Sequence, residues 1–312
     1  MKSGLYLALV TNSSNRNTPA DRKSKGRREP AAHASYLFRK LSRLLRANQS
    51  APDAESVHEL RTTVRRIQTL AASLGEEESK AFSKFDKIVS DIFEKAGRVR
   101  DLDVQMVALK TISLPSVEDD KAILQNYLQR QRSKRQRKLA ATIEEERAKR
   151  LPKRQRKAKA LLLKVVEQPA DVSGHAIDLR KEVLPFIEKL RANHFDVETL
   201  HEVRLAVKHV RYAAEAAGER GAELVALLKP VQDVIGEWHD WLNLIETADE
   251  VLGPLPGHPL MTVLRSKVRA RFHAAISAVK PLEARLAEAM QLTKGPGPVL
   301  VRQEIATAAN AS

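Results

Sequence analysis

The sequence of 312 residues contains no cysteine, few aromatic residues and no long apolar run. The absence of cysteine excludes disulfide bonds, thiolate metal ligands and cysteine nucleophiles, and it is typical of a cytoplasmic protein. The apolar stretch at residues 5–10 is too short for the core of a signal peptide or for a membrane span. We therefore expect a cytoplasmic protein with no membrane partner and no cofactor.

The composition favours helices and a strongly anionic partner. Aromatic residues make up 4% of the chain, and Ala, Leu, Lys, Arg and Glu dominate. Because alternating apolar and polar residues are also scarce, we predict an all-α fold. The net charge of +15 predicts a polyanionic partner. Residues 130–159 hold 14 Lys or Arg against three Glu, so most of this excess lies at the centre of the chain.

One block of the sequence occurs twice, 143 positions apart. Val57-His-Glu-Leu-Arg-Thr-Thr-Val-Arg-Arg66 is similar to Leu200-His-Glu-Val-Arg-Leu-Ala-Val-Lys-His209. In each copy, apolar residues recur every three or four positions, which predicts a helix with a buried face. Cations three and seven residues after each histidine lie beside that face. They form two cationic ridges, consisting of His58, Arg61, Arg65 and Arg66 in the first copy and His201, Arg204, Lys208 and Arg211 in the second.

The ends of the two ridge helices carry capping signals. Asp53 and Asp196 are candidate N-caps, but Ser56 and Thr199 each precede a glutamate by three residues and also match a capping box. Two start points therefore remain open for each helix. Glycines follow both helices, at positions 75 and 218, where a left-handed C-terminal residue would end them.

Other segments repeat in the same order. An apolar periodic segment ends at Gly97-Arg-Val-Arg-Asp101, and another ends at Gly236-Glu-Trp-His-Asp240. Further helices are predicted over 32–46, 177–191 and 259–292, the last with a kink at Pro281. Each half thus contains four or more antiparallel helices, which would bury their apolar faces as a bundle. We expect two tandem bundles related by a pseudo-twofold axis, which would bring the two ridges together.

These segments set the predicted domain boundaries. Residues 1–30 are rich in Ser, Asn, Lys, Arg and Pro without a hydrophobic period, which predicts a disordered basic tail. Residues 31–168 form the first helical half, and residues 169–292 form the second. Residues 293–312 are rich in Gly, Pro and Ala, and they are expected to be a flexible tail.

The two histidine blocks and the two glycine-to-aspartate motifs resemble the halves of a CHAD domain, the conserved-histidine α-helical domain, over residues 31–292. The resemblance implies two four-helix bundles with a basic central groove, binding of inorganic polyphosphate and, in bacteria, association with polyphosphate granules. The basic positions of the family correspond to the eight ridge residues. Two positions depart from the pattern of the first half, since His209 and His239 stand where that half has Arg66 and Arg100.

Arginine and lysine suit phosphate because they donate charge-assisted hydrogen bonds, and helix N-termini add free N–H groups near both ridge histidines. The histidines themselves have two open interpretations, as phosphate contacts or as structural residues near a helix start.

No Cys and no His-x-x-x-His pair is present, so we predict no metal site. The predicted polyphosphate site comprises the eight ridge residues with Arg39, Arg43, Arg46, Arg130, Lys134, Arg137, Arg265 and Arg269.

Two other functions compete with polyphosphate binding. The basic segment 130–159 would suit non-specific nucleic-acid binding, although Tyr127 is the only aromatic residue close to it. Glu76-Glu-Glu-Ser-Lys80 matches the Glu-x-Glu-x-Lys signature of CYTH triphosphatases, but it follows Gly75 in a chain without predicted strands to build their tunnel. We predict a non-enzymatic polyphosphate-binding protein that targets or organises granules, with nucleic-acid binding as the alternative and phosphohydrolysis as the least favoured function.

Overall fold

The computed structural model describes residues 19–50, 52–113, 115–167, 177–191, 195–253 and 259–292, and each regular element in these ranges is a helix. The predicted all-α fold is confirmed. The first half contains α1 (Pro19–Ser50), α2 (Ala54–Ser73), α3 (Lys80–Lys110), α4 (Glu118–Lys149) and α5 (Leu151–Glu167). The second half contains α6 (Leu179–Arg191), α7 (Val197–Ala216), α8 (Ala222–Leu252), α9 (Pro259–Val279) and α10 (Leu282–Leu292).

The predicted tails are only partly covered by these ranges. Residues 1–18 and the expected C-terminal tail, 293–312, lie outside the described residues. Helix α1 begins at Pro19, inside the segment expected to be a disordered tail. This N-terminal part of α1 was not predicted, because residues 19–30 lack the apolar period on which helix prediction depends.

The two ridge helices, α2 and α7, begin at the candidate aspartates. Asp53 accepts a hydrogen bond of 2.8 Å from the backbone N–H of Ser56. Asp196 accepts one of the same length from the N–H three residues along the chain. Both helices are followed by a left-handed glycine, with φ of 68° at Gly75 and 66° at Gly218. The sequence signals therefore fix the length of both ridge helices.

Two long helices continue across a proline kink. Arg150 donates its backbone N–H to the carbonyl of Glu146, and Arg154 donates to that of Arg150, each at 3.1 Å. These bonds carry the helix from α4 into α5 beside Pro152, whose ring is a known cause of kinks. The kink predicted at Pro281 is also found, since it separates α9 from α10.

The hydrophobic core is shared by the two halves. A main cluster of buried side chains draws on all helices from α1 to α10. A smaller cluster joins the C-terminal parts of α3 and α8 to the first turns of α4 and α9, through Leu109, Leu124, Trp241 and Leu260. The buried side chains therefore do not divide into one separate core for each half.

Equivalent helices of the two halves are in direct contact. Helix α2 packs against α7, and α3 packs against α8. A pseudo-twofold relation predicts such contacts, because each helix near the axis meets its own counterpart. The packing brings the two cationic ridges to the same place. Within the described ranges, no helix is both long and apolar enough to cross a membrane.

Candidate functional site

A groove of about 1120 Å³ lies between the ridge helices and is also bordered by α3, α6 and α8. Its walls combine cationic side chains with carboxylates from both halves. The cationic and imidazole groups include His58, Arg61 and Arg65 of α2, Arg100 of α3, and Arg204 and Lys208 of α7. The carboxylates include Asp101 of α3 and Asp240 of α8, the last residues of the two glycine-to-aspartate motifs.

Several cations of the groove have no close anionic partner. Among the described residues, no hydrogen bond or close ion pair reaches Arg65, Arg100, Arg204 or Lys208. The Nε atom of Arg204 is also buried without any hydrogen-bond acceptor. An unpaired polar group of this kind is costly in a folded protein. The groove therefore concentrates positive charge that the protein itself does not neutralise at close range.

By contrast, several other acidic side chains that line the groove are already paired. Glu182 of α6 contacts His209 at 2.7 Å, and Glu202 accepts a hydrogen bond from Lys189 at 2.7 Å. On the other half, Glu59 makes the equivalent contact of 2.6 Å with a lysine of α1. Glu59 and Glu202 thus act as ion-pair partners. These pairs reduce the negative charge that the groove presents to a ligand.

Arg61 is held in place by α3. Its Nη1 donates a hydrogen bond of 3.1 Å to the carbonyl of Phe93, and its Cζ lies 4.4 Å from the centre of the Phe93 ring. A Cβ atom on Gly97 would lie 2.0 Å from Nη1, so an added side chain there would displace the guanidinium of Arg61. Arg65 lies over the same ring, with its Cζ at 4.7 Å from the ring centre. Phe93 and Gly97 of α3 therefore orient the ridge arginines Arg61 and Arg65 against the wall of the groove.

Burial shifts two pKa values in the groove towards the neutral range. Burial, reinforced by the charges of Arg204 and Arg61, lowers the pKa of Lys208 to about 7. Burial raises the pKa of Asp240 to about 6, against the opposing effect of Arg204 and Arg100. Each shift favours the neutral form of its group. The charge of the empty groove is thus sensitive to small changes of pH.

The histidines of the site are held in the neutral form by their surroundings. Desolvation and the charge of Arg100 lower the pKa of His58. Burial and the charge of Arg204 lower the pKa of His239 to about 3. His201 does not line the groove, and its ring lies 5.3 Å from that of His239. The two ridge histidines therefore occupy different positions, although their sequence contexts are alike.

Two predicted binding residues, Arg66 and Arg211, are engaged by Glu215. Arg66 donates to the Glu215 carboxylate through Nε at 2.6 Å and through Nη2 at 3.2 Å. Arg211 is buried, pairs with the same carboxylate and donates to Gln232 at 2.7 Å. The Tyr212 ring lies within 5.6 Å of both guanidinium carbons. We call this group the clasp, because it joins α2 to α7 beside the groove.

Loss of the clasp carboxylate should destabilise the fold. In the Glu215→Ala variant, Arg66 and Arg211 would keep their charges without a partner, and we expect a loss of about 3 kcal/mol in the free energy of unfolding. Urea denaturation followed by circular dichroism measures this loss. The matched control is Asp233→Ala, which breaks an exposed pair with Lys229 and should cost less than about 0.5 kcal/mol. Equal effects of the two substitutions would contradict a structural role for the clasp.

The remaining predicted cations lie outside the groove. All of them are exposed, and none appears among the residues that line it. They are Arg39, Arg43 and Arg46 on α1, Arg130, Lys134 and Arg137 on α4, and Arg265 and Arg269 on α9. Helical periodicity places a cation on the outer face of its helix, but it does not reveal which outer faces meet.

Arg100, Asp101 and Asp240 are among the groove residues that were missing from the predicted site. Their signal was the repeated glycine-to-aspartate spacing, which supported the internal repeat and the family resemblance but was not included in the predicted site. The spacing has a direct structural meaning, because it puts a glycine and an aspartate on the same face of a helix, one turn apart.

Comparison with known proteins assigns the fold. The signature of the CHAD domain family matches residues 35–249, and the protein belongs to this family. The crystal structure of the CHAD domain from the plant Ricinus communis is similar, with a TM-score of 0.60. The match covers 85% of this chain and 91% of that chain at 16% sequence identity, so it shows a shared fold. No curated protein matches the sequence.

Proposed function

We propose that this protein binds inorganic polyphosphate in the groove between its two halves and thereby associates with polyphosphate granules. The observation that carries the proposal is the convergence of Arg65, Arg100, Arg204 and Lys208 without close partners. Polyphosphate offers oxygen acceptors along its whole length and about one negative charge per phosphate. Several fixed cations in one groove match such a ligand better than a single small anion.

The surroundings of these cations favour a ligand without bases. Phe93 borders the groove beside them, but both Arg61 and Arg65 already cover its ring. This ring is therefore not free to stack on a nucleobase, a contact on which single-stranded nucleic-acid binding usually depends. The guanidinium groups, in contrast, keep their N–H donors for phosphate oxygens.

Non-specific nucleic-acid binding remains the second candidate, because α4 and α5 expose a row of cations on their outer side. Arg130, Lys134 and Arg137 recur at helical spacing, and Lys153 and Lys157 follow beyond the kink. No described residue forms an ion pair with any of these five. A competition titration of labelled long polyphosphate against single-stranded RNA separates the candidates. Displacement by RNA at an equal phosphate concentration would overturn the preference for polyphosphate.

Polyphosphate binding should weaken as the pH rises. An anion favours the protonated forms of Lys208 and Asp240, whose pKa values are about 7 and about 6, so binding should take up protons. Between about pH 6 and pH 8 we expect a loss of affinity of roughly tenfold. Calorimetry in two buffers with different heats of ionisation measures the protons taken up.

A matched variant isolates the contribution of the lysine. Lys208→Arg keeps a positive charge at every pH in this range, and it should flatten the pH dependence. Long polyphosphate chains are the suitable ligand for this measurement, because their inner phosphates stay ionised throughout this pH range. Affinity that increases with pH would contradict the proposed role of these groups.

We propose a binding protein rather than an enzyme. The triphosphatase-like motif lies in the connection between α2 and α3, with Lys80 as the first residue of α3. No strand adjoins it in the part of the chain that the structure describes, so its side chains have no tunnel wall to line. Purified protein incubated with tripolyphosphate and Mg²⁺ or Mn²⁺ should release no phosphate above background. Release that disappears in a Glu76→Gln/Glu78→Gln variant would contradict this prediction.

A further inference from the structure

The two halves use equivalent glycines in different ways. On α3, Gly97 makes room for the guanidinium of Arg61. On α8, its counterpart Gly236 lines the groove, and a Cβ atom there would meet no other atom within 4 Å. Glycine inside a helix is unfavourable compared with alanine. The packing of the protein gives no reason for this glycine, and the space above it is open.

The arginine that corresponds to Arg61 does not fill that space by bonding to α8. Arg204 makes no hydrogen bond to any described residue, and its Nε atom is buried without an acceptor. Gln232 stands where the first half has Phe93, and its side-chain oxygen accepts a hydrogen bond of 2.7 Å from Arg211. Arg204 therefore lacks the aromatic support that fixes Arg61, and its donors remain available.

Two cations line the groove together with Gly236. Gly236 precedes Asp240 by one helical turn on the same face of α8. Arg204 and Lys208 line the same groove as Gly236 and Asp240. An open volume, an unsatisfied buried donor and a second cation thus coincide in the second half.

We infer that the space over Gly236 is the binding site, here called the seat, for one phosphoryl group of a bound polyphosphate chain. Arg204 and Lys208 would hold this phosphoryl group. This inference rests on the proposed function. It makes the second half the primary anchor for an inner phosphate of a phosphoanhydride chain. The first half is secondary, because Arg61 already donates to the Phe93 carbonyl. The seat is specific for a ligand that approaches the helix backbone closely, which an added side chain would prevent.

Substitutions of Gly236 test the inference. Gly236→Ala and Gly236→Leu place increasing bulk in the open space, and we expect the dissociation constant for long polyphosphate to rise, by about tenfold to a hundredfold for leucine. The melting temperature of the free protein should rise or stay unchanged for alanine, because alanine is the better helix former. The matched control Gly97→Ala gives the same gain in helix propensity, but its Cβ displaces the guanidinium of Arg61 and leaves the space over Gly236 open, so it should weaken binding less than Gly236→Leu.

A second pair of variants compares the two halves. Arg204→Gln should weaken binding more than Arg61→Gln, and the opposite order would overturn the assignment of the primary anchor. If the wild type and Gly236→Leu bind long polyphosphate equally well, the assignment of a phosphoryl site over Gly236 is wrong, while the proposed function stands. If the wild type does not bind long polyphosphate, the proposed function itself fails. Should the leucine variant not fold, the alanine variant decides the result.

Discussion

The triple variant Arg65→Gln/Arg204→Gln/Lys208→Gln is expected to bind long polyphosphate roughly a thousandfold more weakly than the wild type, because each cation contributes a charge-assisted hydrogen bond of about 1.5–3 kcal/mol. These side chains lie in the groove and not in the hydrophobic core. The helical signal in circular dichroism should therefore be retained. Fluorescence anisotropy with a labelled long chain measures the loss of affinity.

The control variant removes the same net charge from another surface. Lys153, Arg156 and Lys157 are exposed on α5, and their replacement by glutamine reduces long-range attraction equally. Because the groove stays intact, we expect less than a tenfold loss of affinity, from the weaker overall field. If this control is the more damaging variant, the outer face of α5 is the polyanion site, and nucleic-acid binding becomes the favoured function.

Long polyphosphate is expected to bind about a hundredfold to ten-thousandfold more tightly than pyrophosphate, because only a long chain can contact both halves at once. Pyrophosphate spans two phosphates and can occupy a single pair of cations. Competition of both ligands against the labelled chain, expressed per phosphate, gives the ratio of affinities. Similar affinities would show that the groove recognises a local phosphate pair.

The length preference has an internal control. In the double variant Arg204→Gln/Lys208→Gln, the second half can no longer contribute its contacts, and the advantage of the long chain should decrease strongly. Pyrophosphate needs only one pair of cations and can still bind the first half of this variant, so its affinity should decrease less than that of the long chain. A length preference that survives this double substitution would contradict a groove that uses both halves.

Local signals predicted the ridge helices well. The apolar period predicted α2 and α7, the aspartates and glycines marked their ends, and the proline marked the kink before α10. Each of these signals acts within a few residues of the chain. Both Asp53 and Ser56 were candidate N-caps of α2, and the hydrogen bond that Asp53 accepts from the N–H of Ser56 identifies Asp53 as the N-cap. This bond depends on side-chain orientation, which residue type alone does not predict.

The composition of the site was harder to predict, because it depends on contacts between distant residues. Arg65 and Arg66 are neighbours in the sequence, but Arg65 faces the groove while Arg66 pairs with Glu215 on the other half. A helical period gives the angle between two side chains and does not identify the partner that each one meets. The same limit explains why Arg130 and Arg265, both on outer faces, were included in the predicted site.

The shared core bears on how such a fold could arise by gene duplication. Because both clusters of buried side chains draw on both halves, a single half would expose apolar surfaces that it could cover only with a second copy of itself. Such a copy would contact it through the same helices, as in an isologous dimer with twofold symmetry. Fusion of the two copies then frees each from the need to remain identical. The space over Gly236 is open, whereas Arg61 fills the space over Gly97. A homodimer of identical halves could not have encoded this difference.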